Sequence, residues 1–180
     1  MLLDNSSYEA TRSKMTKVNE PTDDEFKLFR DLVLQDLGLD WGDDKKYLLY
    51  ARLQRILQEH QLETFQDYYD YIEREENAKD RQFLHNAVTT TKSGFYREKQ
   101  HFKYLRENVF PVMKDQNSTP YSKLRFWSAG CSSGEETYTL AMEAYDFFGT
   151  AMISNGGLRI LGSDVNSDVL GLAASGTYSE

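Results

Sequence analysis

Leu124–Met142 reads LRFWSAGCSSGEETYTLAM, and the pattern of this stretch decides the fold. Leu124, Phe126 and Trp127 mark a short apolar strand, Ser128 to Gly134 a turn of small residues, and the residues from about Gly134 onward a helix. A strand that passes through a glycine-punctuated turn into a helix N-terminus gathers several backbone N–H groups around one small volume. Such a volume suits a nucleotide-like ligand, and the chemistry of the chain is expected there.

Towards the C-terminus, Asn155-Gly156-Gly157 predicts a turn and Leu158 to Gly162 a second strand; Asp164 follows it, and a helix runs from about Ser167 to Ala174. Strand, helix, strand, helix at these lengths is a βαβ unit and implies a parallel, doubly wound, Rossmann-like sheet. Two strands make a marginal sheet, since open α/β sheets hold about five or more. The expectation is a truncated domain over residues 123–180, whose exposed sheet edges favour dimerisation.

Towards the N-terminus the period changes. Asp115–Ser122 (DQNSTPYS) collects turn formers and is expected to be a linker. Before it, Thr22 and an acidic first turn open a helix carrying Phe26, Phe29, Val33, Leu34 and Leu37. A second helix opens near Asp43 or Asp44 with Tyr47, Leu48, Ala51 and Leu57 towards a core. Thr64 caps a third with Phe65, Tyr68, Tyr69 and Ile72; Phe83, Leu84, Ala87 and Val88 mark a fourth. A fifth carries Phe102, Leu105, Val109 and Phe110, with Pro111 bending or ending it. The predicted class is α plus α/β: a polar, disordered tail (1–21), an all-α bundle (22–114), a linker (115–122) and the partial α/β domain (123–180).

Composition removes several function classes. The 180 residues are 39% hydrophobic, enough for one good core or two small ones. A net charge of −8 argues against nucleic acid or anionic membrane as a general partner, because phosphate neutralisation needs a basic field. No long apolar run and no secretory pattern is present, so a cytoplasmic protein without membrane insertion is the expectation. One cysteine, Cys131, rules out an internal disulfide framework, and His60, His85 and His101 share no metal-binding spacing, so no metal is expected.

Three groups of residues are candidates for chemistry. Gly130 and Gly134 lie four apart, which departs from the G-x-G-x-x-G fingerprint of dinucleotide sites. Carboxylates at Glu135 and Glu136 oppose a pyrophosphate and suit a ligand with ribose hydroxyls and an ammonium or sulfonium charge, as in S-adenosylmethionine. Asp164 sits at a strand end, where an acid can bond ribose, although the same position also suits a helix cap. Cys131 is expected to pack beside the ligand, because the neighbouring carboxylates oppose a thiolate. The second group is Thr89–Glu98 (TTTKSGFYRE), whose hydroxyls and Arg97 can hold a carboxylate; it also reads as a plain helix-to-helix turn. The third is Lys45, Arg52 and Arg55, which share one side of the second helix and suit an acidic helical partner or, more simply, solvent.

Taken together, Thr89–Phe102 (TTTKSGFYREKQHF), Phe126–Met142 (FWSAGCSSGEETYTLAM) and Leu161–Tyr178 (LGSDVNSDVLGLAASGTY) resemble the CheR family, the chemotaxis receptor glutamate methyltransferases. The three blocks stand in the family's order and spacing, and Tyr50–Leu57 (YARLQRIL) resembles its N-terminal helical domain. The resemblance implies methyl transfer from S-adenosylmethionine, with S-adenosylhomocysteine as product, to glutamate side chains on the cytoplasmic helices of chemotaxis receptors. It implies Arg97 on the methionine part of the cofactor as the positioning residue of catalysis, with Thr91 and Ser93 beside it. It implies cofactor contacts from the turn at Gly130, from Glu135 and Glu136, and from Asp164, and receptor docking on Arg52, Arg55 and Lys45. Thr91, Ser93 and Thr137 stand where the family has Asn, Thr and Pro. The alternative is a non-catalytic receptor-docking or cofactor-sensing module of the same descent; a dinucleotide oxidoreductase is disfavoured by the glycine spacing.

Overall fold

The computed structural model describes residues 18–116, 124–150 and 156–179. The tail expected to be disordered over 1–21 lies outside the described residues up to 17, but its end is ordered: Val18 is buried in the helical core and its C=O accepts from Tyr50 Oη at 3.3 Å. The expected linker from 117 on and Asn155 of the predicted turn also lie outside the described residues. The chain divides into two compact units, one ending at Val88 and the other beginning at Thr89.

The first unit is helical. Helix α1, Asp23–Leu37, starts on a capping box: the Glu25 N–H donates to Thr22 Oγ1 (3.2 Å) and the Thr22 N–H to Glu25 Oε2 (2.8 Å). It stops at Gly38, whose φ of 69° is left-handed. One 3₁₀ turn, Asp43–Lys45, leads into α2, Lys46–Glu59, so the α-helix begins slightly later than the acidic pair suggested. Helix α3, Phe65–Ile72, is capped by a Thr64–Asp67 box, and α4 is Ala78–Val88.

Phe29, Leu49, Leu53, Leu57, Phe65, Tyr68 and Leu84 form the buried centre, with the Phe29 ring edge-on to Phe65 at 6.0 Å and stacked on Tyr68 at 6.1 Å. The buried face of α2 differs from the expected one. Tyr47 is 73% exposed, Ala51 is exposed and Leu48 half-buried, because the leucine row at i, i+4 and i+8 (Leu49, Leu53, Leu57) offers more aliphatic surface per turn. Leu34 and Phe83 are likewise exposed; Leu32 takes a core position on α1, and Leu84 is buried as expected.

A half-buried charged cluster joins α1 to α4. The Arg81 guanidinium forks onto both Asp36 oxygens at 2.8 Å, and His85 Nε2 lies 2.8 Å from Asp36 Oδ2. The Arg81 fork holds the Asp36 carboxyl below its ordinary value of 3.8. A depressed carboxylate contributes stability above that value and loses it as pH falls through its own lower value. Thermal melts followed by circular dichroism should therefore show stability falling as pH drops below 3.8, with a shallower fall in Asp36→Asn; parallel profiles would refute the assignment.

The second unit begins with an irregular strap, Thr89–Glu98, whose last four residues form a turn. Helix α5, Lys99–Tyr104, runs through a π turn, Leu105–Val109, into α6, Phe110–Gln116. Pro111 does not end this helix. The π turn, closed by a Phe110 N–H to Leu105 C=O bond, widens the backbone just where the proline has no N–H to give. Strand β1, Leu124–Ala129, is followed by α7, Glu135–Phe148, then β2, Leu158–Ser163, and α8, Ser167–Ser175. The strands pair in parallel, Leu124 opposite Leu158 through Ala129 opposite Ser163, as the βαβ reading requires.

Phe102, Phe110, Leu140 and Ala144 form the second core, backed by Phe126, Phe147, Phe148, Leu158 and Ile160. Residues 89–114, expected in the helical bundle, therefore belong to the second unit. Phe102 and Phe110 find their apolar partners on α7 and the sheet, and that burial outweighs helical kinship with α1 to α4. On the other sheet face Trp127 and Leu161 are 68% and 62% exposed.

Candidate functional site

The site is built where β1 ends. Ser163 C=O at the end of β2 accepts from the N–H groups of both Gly130 (2.8 Å) and Cys131 (2.9 Å), which bends the chain sharply out of the strand. Gly130 has φ 78°, and a Cβ added to it would meet nothing within 4 Å, so its face looks into open volume. Gly134, at φ 98°, caps α7 for the opposite reason. A Cβ there would lie 2.8 Å from Tyr178 Oη, 3.0 Å from Ala173 Cβ and 3.1 Å from Ala173 Cα. Gly134→Ala should cost about 1–3 kcal/mol through strain and collision with α8. A wild-type urea midpoint in that variant would show the close approach to be unimportant.

The strap that carries Arg97 is tied to both strand ends. Ser132 Oγ donates to Thr91 C=O at 2.8 Å, and Asn166 Nδ2 donates to Thr89 Oγ1 at 2.9 Å. The Tyr96 N–H donates to Thr139 Oγ1 on α7 at 3.2 Å. Arg97 donates to Lys92 C=O at 2.6 Å, which folds its guanidinium back over the strap. Arg97 was expected to come from the helical domain; it belongs to the second unit itself, with the turn it faces.

Four of the expected cofactor residues, Ser93, Arg97, Gly130 and Glu136, line one cavity of about 440 Å³. Lys92, His101, Phe102, Trp127 and Leu140 share its wall. Glu136, at the start of α7, accepts from Ser128 Oγ at 2.6 Å. The other expected residues support rather than line the cavity. Thr91 offers its backbone carbonyl to Ser132, as above. Glu135 turns to the hydroxyls of Ser133 (2.7 Å) and Ser93; burial pushes its carboxyl up, but those hydroxyls and its own N–H hold it below the ordinary value of 4.5.

Asp164 accepts from the Ser132 N–H on one oxygen (2.8 Å) and from the Asn166 N–H on the other (2.9 Å), so it staples the loop after β1 to the loop after β2. Burial and the facing Asp164 carboxylate push the Cys131 thiol up, which suits a packed side chain rather than a thiolate. Asn166 and Ser132 escaped the sequence reading. Asn166 ahead of Ser-Asp was legible as a helix cap, and its Oδ1 does accept from the Asp168 and Val169 N–H groups, but its bond to Thr89 spans 77 positions and has no local signal.

The basic residues of the first unit are differently placed. Lys45 pairs with Asp44 at 2.8 Å, and Arg55, 84% exposed at its side chain, pairs with Glu59 at 2.8 Å. Arg52 is half-buried and donates to Ala87 C=O in the last turn of α4, a helix-capping role. Among the described residues no cluster of three His, Cys, Asp or Glu is placed to hold a metal ion, and no helix is long and apolar enough to cross a membrane.

Comparison with known proteins agrees with this division of the chain. Residues 91–180 match the family model described as CheR methyltransferase, SAM binding domain, and residues 24–89 match CheR methyltransferase, all-alpha domain. A chemotaxis protein methyltransferase of Borreliella burgdorferi is 31% identical over 160 residues, 88% of this chain and 56% of that protein. Its Escherichia coli counterpart is 32% identical over 165 residues, 92% of this chain and 54% of that protein. Chemotaxis protein methyltransferase 2 of Vibrio cholerae is 32% identical over 160 residues, 88% and 54% of the two chains. The chain spans about half the length of the curated relatives it matches.

The cavity fits the cofactor named by the match over residues 91–180. It combines an open glycine at φ 78°, a carboxylate at Glu136 for a cationic or hydroxyl-bearing group, and a guanidinium at Arg97 for a carboxylate.

Proposed function

Because the chain belongs to the CheR methyltransferase family, we propose that it takes part in S-adenosylmethionine-dependent methylation of glutamate side chains on chemotaxis receptors, forming methyl esters. The observation that carries this is the convergence of Ser93, Arg97, Gly130 and Glu136 on one cavity at the strand end, within the unit matched to the SAM-binding domain. When bound, the cofactor supplies a methyl carbon on a sulfonium, to which a carboxylate oxygen bonds as the carbon–sulfur bond breaks with its electron pair kept by sulfur.

Each residue's part follows from its chemistry. Arg97 binds the carboxylate of the cofactor's methionine end, in a guanidinium fork whose direction is preset by Lys92 C=O. Gly130 lets the ligand approach the backbone, and Glu136 faces its positive and hydroxyl groups. Glu135, Thr91 and Asp164 hold the strap and the two loops in register; Ser93 does so through Glu135 and lines the cavity as well. No side chain needs to remove a proton, since an ionised glutamate is already nucleophilic. In-line positioning and exclusion of water supply the acceleration.

The face around Arg55 and Lys45 is the proposed receptor dock, supported by the exposure of Arg55; Arg52 contributes by fixing the end of α4 against α2. The test is transfer of labelled methyl from S-adenosylmethionine to receptor-rich membranes by the full-length protein, with base-labile label as the mark of an ester. Label that is stable to base, or absent, would overturn the glutamate assignment.

A further inference from the structure

The charged residues that line the cavity come from two places in the chain. Glu136 stands on the side of the strand–helix turn, held by Ser128 Oγ, whereas Lys92, Arg97 and His101 all come from the strap and the first turn of α5, together with one acid, Glu98. In the proposed reaction the donor carries a positive sulfur and the acceptor a negative carboxylate, so a carboxylate suits the one and a cationic or N–H-donating side chain the other. Arg97 is committed to Lys92 C=O and to the cofactor's own carboxylate. Lys92 and His101 remain.

His101 is the better placed of the two. It is exposed towards the cavity, yet it directly precedes Phe102, which is 7% exposed and packed with Phe110, Leu140 and Ala144, so the backbone that presents the imidazole is anchored in the core. Its N–H is bonded to Glu98 C=O at 2.8 Å, which fixes the turn before it. An imidazole has an N–H to donate in either protonation state, enough to hold one carboxylate oxygen while the other attacks.

The backbone supports a functional reading of this wall. Among the described residues four non-glycine residues have positive φ, and three belong to the strap or its clasp: Tyr96 (53°), Glu98 (53°) and Ser132 (49°). Strain gathered at one place costs stability, and persists where the geometry it enforces is used.

We infer that His101, seconded by Lys92, receives the carboxylate of the methyl-accepting glutamate. This rests on the function proposed above and deepens it by naming the acceptor subsite.

The test uses the full-length protein, a synthetic helical peptide bearing the glutamate as acceptor, and S-adenosylhomocysteine as the calorimetric probe of the cofactor side. His101→Ala should lower kcat/KM for the peptide about tenfold, mainly through KM, and weaken peptide binding to the protein loaded with S-adenosylhomocysteine, with S-adenosylhomocysteine affinity unchanged. His101→Gln, which keeps a donor, should recover part of the loss, and Lys92→Met should show a smaller loss of the same kind. Wild-type peptide affinity and KM in all three variants would overturn the inference and leave the methyltransferase reading standing. A loss of S-adenosylhomocysteine affinity in step with activity would also overturn it, by moving His101 to the cofactor side. A wild-type protein that binds S-adenosylhomocysteine but methylates no glutamate would sink both.

Discussion

Replacing Arg97 with alanine in the full-length protein should weaken S-adenosylhomocysteine binding by about tenfold to a hundredfold, the usual value of a charge-assisted hydrogen bond lost from a ligand. Arg97 lines the cavity with Gly130 and Glu136, and its bond to Lys92 C=O at 2.6 Å sets the guanidinium before any ligand arrives. Arg97→Lys should recover little, because an ammonium keeps the charge but loses the planar fork. Unchanged calorimetric affinity in Arg97→Ala would refute the cofactor role of this residue. It would also remove the strongest link between the strap and the chemistry.

Phe110→Ala should cost the second unit about 3–5 kcal/mol, the range for deleting a fully buried aromatic ring. Its ring is fully buried and meets Phe126, Phe147 and Phe148 at centroid distances of 5.9, 5.4 and 5.2 Å, so the cavity left behind touches β1 and α7 at once. Amide exchange distinguishes the two possible domain divisions. With the boundary at Val88 and Thr89, protection should fall across α5, α6 and α7 and persist in α1 to α4. Loss of protection in α1 to α4 together with α5 and α6, with α7 spared, would restore the division at 115–122.

Much of the architecture was legible because it is local. The helix starts at Thr22 and Thr64 and the strand–turn–helix at Leu124–Met142 are written within a few residues of one another, and each formed as expected; the reciprocal bonds of the two boxes and the left-handed stop at Gly38 came with the structure. Asp164 at the strand end was also legible, but not which groups its two oxygens would meet. Helix periodicity tells that a helix is amphipathic without telling which of two competing stripes wins. On α2 the Leu49, Leu53 and Leu57 row took the core from Tyr47 and Ala51 once neighbouring helices supplied a surface.

The sequence by itself determined the elements, their order and the residue types of the cavity, since backbone propensity, capping and glycine placement act over a few bonds. Only the tertiary structure decided that Phe102 and Phe110 belong with Leu140 and Ala144, and that Asn166 and Ser132 clasp the strap which brings Arg97 to the turn. Those contacts join residues tens of positions apart, and their energy depends on surfaces that exist only after the chain has folded.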